Sequence, residues 1–134
     1  MTRQEIFDTA LNGIRKQGEP AFYNNGCVYY DTTNGNKCAA GQLLSDKAAH
    51  ELSLTEMGTW FDHIDKGTYY RIKRMDIPDY LIDEDNREFI QDIQACHDLS
   101  VNAFYPETFM AEFEEMMASL AERYGLVYTE VSYI

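Results

Sequence analysis

Basic side chains are nearly missing from the second part of this 134-residue sequence. Residues 76–134 hold fourteen of its 23 Asp and Glu residues but only two of its eleven Lys and Arg residues, whereas residues 1–75 hold nine of each sign. The whole net charge of −12 therefore lies in the second part. Because binding to the phosphates of nucleic acid or of a membrane surface needs cations, this deficit argues against both partners. It favours a protein partner with a basic groove.

Paired cysteines, long apolar runs and glycine-rich phosphate loops are missing as well. Three cysteines are an odd number, which argues against a secreted disulfide framework and favours reduced thiols in the cytoplasm. No apolar run approaches the roughly 20 residues that cross a membrane, and the N-terminal residues lack the apolar segment of a signal peptide. A hydrophobic content of 45% is enough for one core, so residues 1–134 are predicted to form a single cytoplasmic domain.

The spacing of apolar residues predicts an α+β fold that is mainly helical, with about five helices. The first helix should begin after Thr2, which has the spacing of a capping box with Glu5, and end before Gly18. The strongest helical stripe follows Pro106, a residue that suits a first helical turn, and ends at Gly125. The other predicted helices begin near Ser45, Thr55 and Asp85.

A small antiparallel sheet is predicted beside the helices. Residues 27–31 and 36–40 are short β-prone runs on either side of Asn34-Gly35-Asn36, which is typical of a turn. Residues 126–133 are a candidate third strand that pairs with the first, because they are rich in β-branched and aromatic side chains. Residues 68–82 mix apolar side chains with a proline, and we expect them to be irregular.

The helix after Pro106 carries five carboxylates along about 28 Å, or roughly one per 6 Å. This density is within a factor of about two of a DNA strand, which has one phosphate per ~3.4 Å. An acidic helix face is common on soluble proteins, but such surfaces usually mix both signs, and this one does not. We therefore interpret the face as partner-binding and keep a merely solvated face as the alternative. The candidate partner-binding residues are Glu107, Glu112, Glu114, Glu115 and Glu122 of this helix and Asp83, Glu84 and Asp85 of the preceding acidic run.

The thiols and His97 are open to a catalytic interpretation. Cys38 precedes a helix start, where the helix dipole lowers a thiol pKa, so Cys38 or Cys27 is a candidate nucleophile with His97 as base. Asp98 would orient the base. Neighbouring helix residues point roughly 100° apart, which makes Asp98 an awkward partner for His97.

Two other interpretations of these residues are open. In the first, zinc is bound by Cys27, Cys38, Cys96 and His97, although the ten residues between the first two cysteines lack the short paired spacing of zinc sites. In the second, the thiols are small core residues, and His97 makes a core hydrogen bond from the apolar face of its helix. The segment Ala39-Ala40-Gly41 then marks a close approach of the backbone to a neighbour. This structural interpretation is favoured, so neither a metal nor a cofactor is predicted.

Three segments of the sequence together form one recognisable pattern, which is G-C-x-Y, then G-x-K-C-A-x-G-x-L, and later H-D. They are Gly26-Cys27-Val28-Tyr29, Gly35-Asn36-Lys37-Cys38-Ala39-Ala40-Gly41-Gln42-Leu43-Leu44 and Gln94-Ala95-Cys96-His97-Asp98. In these segments, which cover under a third of the chain, the sequence resembles a group of small uncharacterised proteins from bacteria and their phages. The resemblance implies a phage or prophage setting and a structural or chemical importance of the Cys and His-Asp positions. The negative charge of residues 76–134 is not part of the shared pattern.

Charge and resemblance together predict a non-enzymatic, acidic, phage-type inhibitor. Its partner would be a host protein with a basic surface, such as a defence nuclease or another nucleic-acid-binding factor, engaged in the host cytoplasm partly by mimicry of nucleic acid. Direct contact with nucleic acid or with a membrane is not expected. The alternative is a thiol-dependent enzyme that uses Cys38 or Cys27 with His97, and a third hypothesis is a structural homodimer.

Overall fold

Helices dominate the part of the chain that the computed structural model describes, which is residues 2–23, 26–55, 77–102 and 104–130. The α-helices within these ranges are α1 (Arg3–Gln17), α2 (Asp46–Thr55), α3 (Asp79–Ile82), α4 (Glu84–Ser100) and α5 (Phe109–Tyr124). Single 3₁₀ turns cover Gly41–Leu43 and Pro106–Thr108. The mainly helical class with five helices is thus confirmed for these ranges, whereas the helix predicted for residues 56–67 lies outside them.

Hydrogen bonds at the helix ends explain the bounds of α1 and α2. The Thr2 side chain accepts from the Glu5 backbone N–H at 3.1 Å, and the Glu5 carboxylate accepts from the Thr2 N–H at 3.0 Å. This capping box satisfies N–H groups that the start of a helix leaves unpaired, as predicted. Gly18 ends α1 with φ 79°, a left-handed conformation that favours glycine. The Ser45 hydroxyl accepts from the Ala48 N–H at 3.1 Å, so the predicted cap of α2 is confirmed as well.

Two expectations about the next helices are wrong. The N-cap of α4 is Asp83, whose carboxylate accepts from the Asp85 N–H at 3.1 Å, so the helix begins earlier than the predicted cap at Asp85. Residues 79–82, expected to be irregular, form the single turn α3. One of its carbonyl groups finds a partner outside this turn, because the Asn86 side chain donates to the Tyr80 carbonyl at 2.8 Å. Residues 68–76 lie outside the described ranges.

The stripe predicted for α5 is its buried face. Pro106 opens a 3₁₀ turn and not α5 itself, which begins at Phe109 and ends at Gly125 with φ 69°. The fully or almost fully buried members of the stripe are Phe109, Phe113, Met117 and Leu120.

The predicted sheet is not confirmed. Residues 27–31 and 36–40 meet at one isolated antiparallel bridge, between Tyr30 and Lys37. The Cys38 N–H still donates across the hairpin to the Tyr29 carbonyl at 3.3 Å. The chain then leaves the hairpin, because the N–H groups of residues 42–44 donate to carbonyls of residues 38–41 in the Gly41–Leu43 turn. The paired strands in the described part of the chain are β1 (Phe22–Tyr23) and β2 (Gly26–Cys27), two residues each and antiparallel.

The end of the described chain lies along α1 and not against a strand. Residues 126–130 have no strand partner, and residues 131–133 lie outside the described ranges. The Gln4 side chain donates to the Val127 carbonyl at 3.0 Å and accepts from the Val127 N–H at 2.8 Å. Arg15, three turns further along α1, donates to the Thr129 carbonyl at 2.7 Å. Side chains of α1 therefore satisfy backbone groups that the prediction assigned to a sheet.

One hydrophobic core runs through the neutral first part and the acidic second part. α4 and α5 pack against each other, and α1 packs against both α4 and the Gly41–Leu43 turn. None of the described helices combines the length and the apolar character that crossing a membrane requires. The largest fully buried side chains include Phe7 of α1, Phe89 of α4 and Phe113 of α5.

Glu114 ties α5 to α1 and to the segment that follows α5. Arg15 donates to both of its carboxylate oxygens, at 2.5 and 2.7 Å, and the Tyr128 hydroxyl donates to the same carboxylate. Burial alone would raise the pKa of Glu114, but the hydrogen bonds from Arg15 and Tyr128 outweigh it and hold the pKa below its usual value. A carboxylate engaged in this way is not available to a partner, so Glu114 drops out of the candidate partner-binding residues.

Replacement of Glu114 should destabilise the fold in a pH-dependent manner. Because the folded-state pKa is lowered, the stabilisation is complete above the unfolded pKa and is lost as pH falls through the folded one. Glu114→Gln should therefore lower the free energy of unfolding by about 1 kcal/mol near neutral pH and by much less below about pH 4. Urea titrations at both pH values measure this, with Glu115→Gln as the control on the adjacent, exposed residue. A cost that does not change with pH would contradict the assignment.

Candidate functional site

A buried histidine joins α4 to a loop of the first part. His97 is 0% exposed, and its Nε2 accepts from the Ala21 backbone N–H at 3.1 Å. Its Nδ1 lies 2.9 Å from Asp98 Oδ1. Because Nε2 acts as an acceptor, the ring proton lies on Nδ1 and is donated to Asp98. The imidazole therefore carries a hydrogen-bond chain from a carboxylate to a backbone amide.

Gln94 extends this chain to a second loop. Its amide nitrogen donates to the same Asp98 Oδ1 at 2.9 Å, and its side-chain oxygen accepts from the Ala40 N–H at 2.8 Å. One carboxylate oxygen thus orients two side chains, and each of them satisfies a buried backbone N–H from a different segment. We call this network, which consists of Gln94, His97 and Asp98 with the amides of Ala21 and Ala40, the α4 clasp.

The loop that the clasp holds is packed as closely as its small residues predict. A Cβ atom on Gly41 would lie 2.5 Å from the Tyr29 carbonyl oxygen and 3.4 Å from Cys38 Sγ. The Gly41 N–H donates to Cys38 Sγ at 3.2 Å, and Cys38 is fully buried. The expected close approach at Ala39-Ala40-Gly41 is confirmed, because only glycine fits at its last position.

The geometry of His97 favours a structural role over a catalytic one. The expectation that Asp98 is an awkward partner for His97 is wrong, since their side chains bond across adjacent positions of one helix. Nevertheless Nε2, the atom that would take a proton from a nucleophile, is engaged by Ala21. Cys38 and His97 are both 0% exposed, and neither lines either of the two cavities described below.

The thiol of Cys96 is equally inert. Burial raises the pKa of Cys96 to about 11, so its reactive thiolate form is scarce near neutral pH. The side chain of Cys27 lies outside what the structure describes. Within the described ranges, no group of three His, Cys, Asp or Glu side chains could hold a metal ion.

A cavity of about 580 Å³ lies between α4 and α5 on the acidic part. We call it the α4–α5 groove. Its apolar lining residues are Ala95, Cys96, Leu99, Met116 and Leu120. Its charged and polar lining residues are Asp92, Glu112, Glu115, Ser119 and Arg123. The groove therefore combines an apolar floor with carboxylates, and Leu99 is 70% exposed in it.

A second cavity of about 630 Å³ adjoins the groove and shares Asp92 and Arg123 with it. Arg3 stands over the ring of Tyr124 at 5.5 Å and Arg123 over the same ring at 5.4 Å. The Tyr124 hydroxyl donates to Asp92 at 2.5 Å, and burial together with this bond raises the pKa of Tyr124 to about 12. The other acidic residues that line this second cavity are Glu84, Asp85 and Glu88.

Together the two cavities bring six carboxylates close to only two guanidinium groups. Of the candidate partner-binding residues, Glu84, Asp85, Glu112 and Glu115 line them. Glu107, in the 3₁₀ turn before α5, and Glu122, in α5, are exposed but line neither cavity, while Asp83 caps α4. Sequence reasoning missed Glu88, Asp92 and Leu99, although their spacing from Asp85 by three, seven and fourteen residues places all four along one side of a helix. We call the six carboxylates Glu84, Asp85, Glu88, Asp92, Glu112 and Glu115 the groove carboxylates.

Comparison with known proteins adds no family to this geometry: no family model, curated protein or solved structure matches the chain.

Removal of the imidazole should destabilise the protein. In His97→Leu the Ala21 N–H stays buried without an acceptor, which costs about 1–3 kcal/mol of unfolding free energy. Asp98→Asn is the matched control, because its side-chain oxygen still accepts from Gln94 and His97, and it should cost less. Chemical denaturation of the three proteins measures the difference. A His97→Leu variant as stable as the wild type would refute the role of the clasp.

Native-state alkylation distinguishes core thiols from a nucleophile. Cys38 and Cys96 should react with iodoacetamide at about pH 7.5 far more slowly in the folded protein than in urea, since both are buried. Peptide mapping by mass spectrometry assigns the label to each cysteine. Rapid labelling of Cys38 or Cys27 in the folded protein would instead favour the thiol-dependent enzyme.

Proposed function

We propose that this protein is an acidic binding protein that engages a basic groove on another protein. The observation that carries the proposal is the convergence of the groove carboxylates on two adjoining cavities that contain only two arginines. A concentrated negative field speeds the encounter with a basic surface and disfavours acidic partners.

The carboxylates of α5 are the best placed for such a contact. Glu112 and Glu115 are exposed, and neither has an ion-pair partner among the described residues. Asp92, in contrast, is engaged by Arg123 at 3.2 Å and by Tyr124. Because these exposed carboxylates give up no internal ion pair when they bind, their attraction to cations of a partner is not offset by a lost contact within this protein.

Partial mimicry of nucleic acid is the finer form of this proposal. At ~1.5 Å per residue, Glu112 and Glu115 are about 4.5 Å apart along the helix axis, near the ~3.4 Å phosphate repeat of a strand. A host nuclease or another nucleic-acid-binding factor then is the expected partner. The phage-type inhibitory role and the host cytoplasm as its location are predictions that follow from the resemblance described above.

The two competing functions have less support. A thiol-dependent enzyme needs an accessible thiol beside a free imidazole nitrogen, and His97 has neither accessibility nor a free Nε2. A homodimer built through the groove would bring two sets of like charges together on chains of net charge −12.

The proposal predicts that the bound proteins are basic and that salt releases them. Immobilised protein should recover proteins of high isoelectric point from a bacterial lysate, and raising NaCl from about 0.1 M to about 0.5 M should release most of them. Glu84→Gln/Glu112→Gln/Glu115→Gln should weaken recovery about tenfold, because each exposed ion pair contributes up to ~1 kcal/mol.

The matched control neutralises three exposed carboxylates that line neither cavity, Glu107→Gln/Glu122→Gln/Glu130→Gln. It changes the net charge by the same amount and should weaken recovery much less. Recovery of proteins with no basic bias, or binding that salt does not affect, would overturn the proposal. If recovery falls equally in the two triple variants, the binding surface is the whole acidic face and not the two cavities.

A further inference from the structure

We infer that the α4–α5 groove takes one basic amphipathic helix of the partner, with an apolar side chain anchored on Leu99. This inference rests on the proposed function for the basic charge of the partner. It differs in geometry, because a helix of the partner enters a groove of this chain instead of the acidic face entering a groove of the partner. It goes beyond charge mimicry, because an apolar floor has no use in imitating a phosphate backbone.

Leu99 is the residue that singles out the groove. Four large hydrophobic side chains are strongly exposed among the described residues, namely Leu99, Phe104, Tyr105 and Val127. Of these, Leu99 alone lines one of the two cavities. Next to it lie the buried side chains of Cys96 and Leu120 and the half-buried side chain of Met116. An apolar partner residue placed there would remove both its own surface and that of Leu99 from water.

The length of the groove matches a helix. Along α5 its lining runs from Glu112 to Arg123, which is about 16 Å at ~1.5 Å per residue, or three helical turns. Two helices packed side by side present a trough in which a third helix can lay its own apolar face. A partner helix with apolar residues at every third or fourth position would cover the floor over this length.

Charge complementarity identifies the partner helix as basic. Glu112 and Glu115 line the groove from α5 without an ion-pair partner among the described residues, whereas Asp92 lines it from α4 and is already paired with Arg123. Lys or Arg residues beside the apolar stripe of the partner would face these carboxylates. A second copy of this chain is a poor occupant, because its exposed surface beside the groove carries the same sign.

A designed peptide tests the inference on the intact protein. The probe is a fluorescent helix of about eighteen residues, or five turns, made of Lys and Leu with every Leu on one face. The control peptide has the same composition but scatters its Leu residues around the helix. Fluorescence anisotropy at about 0.05 M and about 0.5 M NaCl should show that the patterned peptide binds at least about tenfold tighter, with the larger advantage at high salt, where charge pairs are screened.

Two matched pairs of variants locate the binding site. Leu99→Ser should lower the affinity for the patterned peptide about tenfold, the effect expected from the loss of one apolar contact. It should leave the affinity for the scattered peptide unchanged. Val127→Ser, which removes an apolar residue of nearly equal exposure (69%) outside the groove, should change neither. Glu112→Gln/Glu115→Gln should weaken both peptides more than Glu107→Gln/Glu122→Gln does, chiefly at low salt.

Each other outcome has a definite meaning. Equal binding of the two peptides, with no effect of Leu99→Ser, would overturn the groove inference and leave a binding mode based on charge alone. Absence of binding by either peptide at low salt would overturn the proposed function as well. A dimer in sedimentation that the patterned peptide dissociates would show that a second copy occupies the groove, which also overturns the inference.

Discussion

The contact between α4 and two loops of the first part is organised by one carboxylate oxygen, Oδ1 of Asp98. It accepts from Gln94 and from His97, and these two side chains accept in turn from backbone amides of two separate loops. In a core, a backbone N–H without an acceptor costs as much as several buried methylene groups contribute. The α4 clasp therefore fixes where the irregular first part sits on the helices.

Helix α4 serves two surfaces at once. Its inner residues Gln94 and His97 hold the loops, while Asp85, Asp92 and Leu99 line the cavities on the outside. Because the inner contacts immobilise the helix, the outer side chains are presented from a rigid element, which lowers the entropic cost of binding. The neutral part of the chain is thus the support of the acidic surface, and the two parts share one core.

Local signals allowed much of the helical framework to be predicted. The capping box of Thr2, the cap at Ser45 and the terminal Gly18 and Gly125 act over a few residues, so the sequence alone reveals them. The predicted sheet is not confirmed, because strand pairing is a long-range property and the backbone groups of Val127 and Thr129 bond to side chains of α1. The roles of Glu114 and Asp98 were not predicted for the same reason. The sequence of an acidic helix does not show whether a distant side chain, such as Arg15 for Glu114, reaches a given carboxylate.

The clasp also sets an order of assembly for a growing polypeptide. The amides of Ala21 and Ala40 obtain their acceptors from residues that lie 76 and 54 positions later in the chain. The helical pair α4 and α5, in contrast, is closed by contacts between neighbouring segments, which form quickly because little chain entropy is lost. During synthesis the loops that contain Ala21 and Ala40 therefore leave the ribosome before the side chains that accept from their amides. They can reach their final arrangement only once α4 has emerged, so the part of the protein made first waits for residues 94 and 97 to complete its hydrogen bonds.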